Sequence, residues 1–334
     1  MSVMNGNPLR PASRSPRITG IAVALAAALG LGTLTACGSD ERSTAGDGKL
    51  DVVASFYPME FLVRQIGGDH VHVTGLTKPG QEPHDLELKP RQVASLEKAD
   101  AIVYLKGLQP AVDEAIEQSG AKNVADAASL THLETHGDEV DGHEHGDHGD
   151  HDEHGGHGHE GAADPHIWLD PVKYAEVAQG VNRTLAKAAP DHREIFQKNT
   201  DILVGRLKEL NTKFADGLRN RASDTFITTH AAFGYLAERY GLTEEAVSGV
   251  DPEAEPSAAR IKDLHKLAKD HHVNTVFFET IASPATAKTI AGDLNLRTDV
   301  LDPLEGITDH SKGHDYFEVM ESNLTALRKA LGAK

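Results

Sequence analysis

Cysteine is nearly missing from this chain: Cys37 is the only one in 334 residues. No internal disulfide can form, so a folded domain must rest on its own apolar core. Hydrolase signatures are missing too. No His-Glu-x-x-His or His-x-x-Glu-His helix occurs, because His143-Glu144 meets Asp at position 147, and there is no Gly-x-Ser-x-Gly elbow. These absences weigh against a secreted zinc hydrolase, although three histidines around an open position would also describe catalytic zinc. A basic face, which a nucleic-acid partner requires, is lacking as well; the formal net charge is −18. Much of that excess is local, since ten carboxylates fall within residues 132–160.

That same stretch has neither Lys nor Arg, and between His132 and His159 its only aliphatic side chains are Leu133 and Val140. It cannot bury enough apolar surface to offset the entropy of ordering. It holds nine histidines instead: His132, His136, His143, His145, His148, His151, His154, His157 and His159. Imidazoles among carboxylates suit a borderline divalent cation, so these are expected to be weak auxiliary metal sites. A solvated acidic linker is the plainer alternative.

At the start of the chain, Arg10, Arg14 and Arg17 precede an Ala-rich apolar run over 18–34, followed by Leu34-Thr35-Ala36-Cys37. A basic n-region, a short h-region and small residues before a cleavage point describe a secretory signal. The run is too short and too rich in Ala and Gly for a membrane span. Cys37 stands where a bacterial lipobox places it, so residues 1–36 resemble a lipoprotein signal with Cys37 as the lipidated residue. Residues 37–49 are small and polar and read as a flexible tether.

Beyond the tether, strands are expected at 50–55, 71–76 and 101–105, alternating with helices at 58–66, 91–99 and 110–118. Such alternation predicts a doubly wound parallel sheet, here an N-terminal α/β lobe over 50–189 that closes with a helix at 171–188. From 191 to 218 apolar residues recur at helical spacing without proline, predicting one long linker helix within 190–220. The alternation resumes over 221–334, with strands at 225–228, 246–248, 275–278 and 298–301 and helices at 233–240, 257–269, 284–294 and 316–331. Two α/β lobes joined by a single long helix follow from this pattern.

Of the eleven histidines outside the rich tract, three are singled out: His84 just past the strand expected at 71–76, His166 immediately before the helix expected at 171–188, and His230 just after the strand expected at 225–228. Ligand sites in open α/β sheets form beyond the carboxyl ends of strands, so all three occupy the position where a shared inter-lobe site would form. Trp168, beside His166, reads as core packing. His271 and His272, at a helix end, carry no expected metal role.

The segments GQEPHDLELKP around His84, DPHIWLDP around His166, THAAFGYLAERYGL around His230 and VLDPLEGIT near the end resemble the metal-binding components of bacterial ABC importers. Within that cluster A-I family they are most similar to the zinc group, the ZnuA/AdcA-like proteins, where a His-rich insertion between the first two histidines is typical. The resemblance implies two α/β lobes bridged by a rigid backbone helix, with metal in the cleft. It carries His84, His166 and His230 over as metal ligands, with Glu305 as the fourth and Asp302, Glu82 or water as alternatives. It further implies a monomeric, non-enzymatic protein, lipid-anchored on the extracytoplasmic face of the membrane, that hands its ion to ABC permease subunits. Three imidazoles and one carboxylate suit Zn²⁺; manganese and iron members replace the third histidine with a carboxylate. Transport of Mn²⁺ or another divalent metal, and a surface adhesin or metal store, are the competing readings. Because neutral imidazoles are required, affinity is expected to fall as pH drops through about 6.5, the reference value for histidine.

Overall fold

The computed structural model describes residues 48–136, 163–252, 254, 256–281 and 285–334. Cys37, the expected signal and most of the tether lie outside these residues, as do His143, His145, His148, His151, His154, His157 and His159. No helix among the described residues is long and apolar enough to cross a membrane.

The first half runs β1 (Leu50–Ala54), α1 (Tyr57–Gly67), β2 (Val71–Gly75), α2 (Pro90–Lys98), β3 (Ala101–Tyr104), α3 (Pro110–Ser119) and β4 (Val124–Asp126). All pairings are parallel, in the order β2-β1-β3-β4. Two helices follow, α4 (Pro171–Ala188) and α5 (Arg193–Gly217). The second half repeats the winding with β5 (Thr225–Thr228), α6 (Gly234–Tyr240), β6 (Thr243–Ala246), α7 (Ala258–Asp270), β7 (Thr275–Phe278), α8 (Ala285–Leu294) and β8 (Arg297–Val300). Its order is β6-β5-β7-β8, again parallel. Helix α9 (Tyr316–Leu331) ends the chain.

The period of two along each strand sends alternate side chains to opposite faces. Val53 and Ile102 pack with Leu96 of α2 and with Val112 and Ile116 of α3 on one side of the first sheet. Val52, Ala54 and Val103 face the other way, into a core shared with α1, α4 and α5. In the second sheet Ile227 and Val276 pack with Leu264 of α7 and Ile290 of α8. Phe226 and Phe277 turn instead into the same core as Val52 and Val103. One continuous apolar core therefore runs between the two sheets.

Helix α5 carries that core. Its Phe196, Leu203, Leu207, Leu210 and Phe214 form one buried stripe, and it packs on α1 and α4 from the first half and α9 from the second. At 1.5 Å per residue its 25 residues span about 37 Å. Helix α4 starts at Pro171, where a missing N–H costs nothing, and Asp170 caps it by accepting the Val172 N–H at 2.8 Å.

One expectation needs correcting, and one strand was not expected at all. The strand expected at 246–248 lies at Thr243–Ala246. It is an edge strand of polar residues, and the apolar cue at Ala246 and Val247 marks where it leaves the sheet; Val247 and Ser248 still donate to Thr228 and Thr229 at 2.9 Å. Strand β4, only three residues long, carries too little periodicity to be seen in advance.

Candidate metal centre

Four loops at the carboxyl ends of strands meet between the sheets. His84 sits in the loop after β2, where Gln109 holds the chain by donating to the Pro83 carbonyl at 3.1 Å and to Thr77 Oγ1 at 3.0 Å. His166 follows β4 in the chain and enters the short 3-10 turn Ile167–Leu169 ahead of α4. His230 comes two residues after β5, and Glu305 lies in the loop between β8 and α9.

The Glu305 loop is the most tightly specified of the four. Leu304, fully buried, has φ of +60°, a left-handed conformation that non-glycine residues adopt at a cost. Asp302 holds it there by accepting the Leu304 N–H at 2.8 Å on one oxygen and the Thr280 hydroxyl at 3.0 Å on the other. Asn323 of α9 exchanges two hydrogen bonds with the Asp302 backbone, at 2.9 and 2.7 Å. The Trp168 indole N–H donates to the Pro303 carbonyl at 2.6 Å, joining this loop to the His166 loop. The turn that results directs Glu305 inward.

Oε1 of Glu305 faces three imidazole nitrogens: Nε2 of His166 at 3.3 Å, of His84 at 3.4 Å and of His230 at 3.7 Å. One donor atom from each of the four residues lies within 4.8 Å of all the others. These separations are long for hydrogen bonds, which cluster below about 3.2 Å. The two shorter ones match the edge of a tetrahedron with bonds of about 2.0–2.1 Å, which is about 3.3–3.4 Å, and the His230 distance is somewhat longer. His230 Nε2 and Glu305 Oε2 are buried without a hydrogen-bond partner, a costly arrangement unless a cation is to be met there. His166, His230 and Glu305 are essentially inaccessible, whereas the His84 side chain retains 14 % exposure and forms the solvent side of the group.

The opposite ring nitrogens are held by carboxylates. Asp164 Oδ1 accepts from His166 Nδ1 at 2.7 Å and from the His166 backbone N–H at 2.9 Å. Glu279 Oε1 accepts from His230 Nδ1 at 2.5 Å and from the Thr229 hydroxyl at 2.8 Å. Each contact fixes a tautomer in which Nε2 points to Glu305, the arrangement by which carboxylates orient metal-binding histidines.

Electrostatics reflect this crowding. Burial opposes protonation of His166, but hydrogen bonds to Asp164 and Glu305, together with their charges, prevail and push its pKa up to about 9. His230 is likewise raised well above the usual histidine range, burial being outweighed by Glu279 and Glu305. Burial alone would raise Glu305, yet the three imidazoles that face it hold it well below the ordinary carboxylate value. Glu82 is pushed up to about 8, first by burial and then by the charge of Glu305.

The four residues singled out from the sequence thus come together. The two residues among the alternatives for the fourth position make contacts within the loops: Asp302 shapes the Leu304 turn, and Glu82 accepts the His84 N–H at 3.1 Å. Of the tract histidines within the described residues, His132 is exposed with Nε2 3.8 Å from Glu134. His136 is wedged between Asp164 and Glu238. Asp164 and Glu279 were not anticipated. Glu279 stands directly after β7, the same topological position as the histidines, and that placement was the available signal.

Residues 52–330 match the family described as zinc-uptake complex component A, periplasmic (ZnuA). The chain is 35% identical over 302 residues to the zinc-binding lipoprotein AdcA of Streptococcus pneumoniae, covering 89% of this chain and 58% of AdcA, so it spans rather more than half the length of that relative. It is 36% identical over 310 residues to the high-affinity zinc uptake system protein ZnuA of Bacillus subtilis, covering 90% of this chain and 94% of that one. The Zn(II)-bound ZnuA-like domain of S. pneumoniae AdcA superposes with a TM-score of 0.69 at 34% identity, over 85% of this chain and 99% of the domain. With a family match along nearly all of the described fold, the chain belongs to the ZnuA family of zinc-uptake components.

Proposed function

We propose that this protein captures Zn²⁺ outside the cytoplasm and delivers it to the membrane subunits of an ABC permease for high-affinity zinc uptake. His84, His166, His230 and Glu305 are the ligands, and the ion is cargo that is bound and passed on rather than turned over. The observation that carries this reading is the convergence of three Nε2 atoms on Glu305 Oε1 at 3.3, 3.4 and 3.7 Å. Three nitrogens and one oxygen make a donor set for tetrahedral zinc; Mn²⁺ prefers harder oxygen-rich shells.

The remaining parts of the reading follow from the leader and from the relatives. Residues 1–36 direct export, Cys37 is lipidated, and residues 37–49 tether a monomer to the outer face of the membrane. The tract over 132–160 adds weaker sites that raise the local zinc concentration.

Isothermal titration of the full chain with Zn²⁺, in competition with a chelator, tests the assignment. One tight site is expected, which His84→Ala, His166→Ala, His230→Ala and Glu305→Ala each abolish or weaken by more than the roughly 10–100-fold typical of losing a supporting residue. Tight binding that survives any two of these substitutions contradicts the ligand set.

A further inference from the structure

The described chain on either side of residues 137–162 meets at one place. The Asp164 N–H donates to the Glu134 carbonyl at 2.9 Å, drawing the two ends together. Both ends rest on α6 of the second half: the Tyr235 hydroxyl accepts the Glu134 N–H at 2.8 Å and donates to the Asp164 carbonyl at 2.8 Å. His136 lies in this junction, edge-on to Tyr235 with ring centroids 4.7 Å apart at 83°. It fits because residue 234 is glycine; a Cβ there would stand 2.5 Å from His136 Cβ and Cγ.

Both nitrogens of the His136 ring are engaged. Nδ1 is 2.8 Å from Asp164 Oδ2, and Nε2 is 3.2 Å from Glu238 Oε2. Asp164 is fully buried and divides its carboxylate between two imidazoles, His136 on Oδ2 and His166 on Oδ1. A buried carboxylate oxygen left without a donor is costly and free to turn toward another one. His136 satisfies that oxygen and so fixes the plane of the carboxylate that orients His166. The arrangement departs from the expectation that His136 is one more weak metal site, since metal could reach either nitrogen only by displacing the carboxylate that contacts it.

We propose that His136 is a positioning residue for the metal centre, holding Asp164 so that His166 keeps Nε2 on the ion, and tying that support through Glu238 and Gly234 to α6 in the opposite half. The proposal deepens the zinc-binding reading and rests on it. It separates His136 from the tract histidines that follow: one braces the tight site, and the others serve the weak sites.

The test uses the full chain with His136→Ala, His136→Asn and Glu238→Gln. Zinc affinity is measured by chelator competition, and the His166 ring is followed by long-range ¹⁵N–¹H NMR of the metal-free protein. His136→Ala is expected to weaken tight binding by about 3–10-fold, less than the loss of a direct partner, and to shift the His166 ring nitrogens. His136→Asn, whose amide can still donate to Asp164, recovers most of both effects. Glu238 is largely exposed, so Glu238→Gln folds even where His136→Ala does not; it is expected to shift the His136 nitrogens and to weaken zinc about twofold, as one lost exposed ionic contact implies. The proposal is overturned if the His166 nitrogens and the tight affinity are unchanged in His136→Ala, or, should the alanine variant not fold, if the His136 nitrogens and the tight affinity are unchanged in Glu238→Gln. Loss of a weak site with the tight site intact overturns it equally. A wild-type chain that binds no zinc tightly refutes the zinc reading itself, and the NMR of the metal-free protein still decides for or against His136.

Discussion

At the residue scale, zinc competes with protons. His166 and His230 hold their protons to higher pH than a free histidine because Asp164, Glu279 and Glu305 surround them. Zinc must displace those protons, so tight-site affinity is expected to fall from about pH 9 downward, not only below the reference value of about 6.5. Between pH 8 and 6 the loss should exceed tenfold per pH unit, as each displaced proton contributes about tenfold; a flat profile in buffered titrations would contradict the site. The same shifts fix the sign for stability. Raised folded-state values mean that these two groups stabilise the metal-free protein fully below about pH 6.5; the His166 contribution is lost as pH rises through about 9, and that of His230 is likewise lost at high pH. Supporting carboxylates matter as well. Glu279→Gln, which keeps the size but loses the charge on His230 Nδ1, is expected to weaken zinc by roughly 10–100-fold in the same titration. His84, His166, His230 and Glu305 were legible in the sequence because each lies in a segment resembling a known family, three of them after an expected strand and His166 just before an expected helix. Their supporting carboxylates were not, since Glu279 lies 49 residues from the histidine it orients, and only the folded chain joins them.

At the scale of elements, the centre depends on how helices begin and where loops are pinned. Asp170 caps α4 through Val172 and also receives Arg239 of α6 at 2.8 and 2.6 Å, linking the helix after His166 to the helix after His230. Asp170→Ala removes the cap and leaves the Arg239 head without its partner. Helix caps contribute about 0.5–2 kcal/mol, and the partly exposed ion pair adds at most about 1 kcal/mol. A loss of roughly 1–3 kcal/mol is expected in denaturant unfolding of the metal-free protein, and a change below about 0.5 kcal/mol would mean that the two helices are held by packing alone. Most elements could be read ahead of the structure: α4 and α9 fall where the periodicity put them, and the long α5 follows from an uninterrupted helical pattern. Strand β6 could not, because its Glu244 and Glu245 are turned inward by specific partners, Thr228 and Phe233 for one and Arg260 for the other. Local propensity offers no hint of such contacts.

At the scale of the whole molecule, the two sheets are not independent. Val52 and Val103 of the first and Phe226 and Phe277 of the second share a single core around α5, and Tyr316 of α9 donates to the Trp168 carbonyl at 2.7 Å across it. Heating the metal-free protein is therefore expected to give one cooperative transition. Zinc at a free concentration of 100 times Kd should raise its midpoint by about 5–10 °C, from about 2.7 kcal/mol of binding linkage. Two separate transitions, with zinc moving only one of them, would show that the halves fold apart. The most direct test of the central claim is a crystal structure of the zinc-loaded chain with anomalous difference maps on either side of the zinc edge. The account predicts one fully occupied zinc bonded to Nε2 of His84, His166 and His230 at about 2.0–2.1 Å and to Glu305. A strong zinc peak elsewhere, or one at this place lacking any of the three imidazoles, would contradict it.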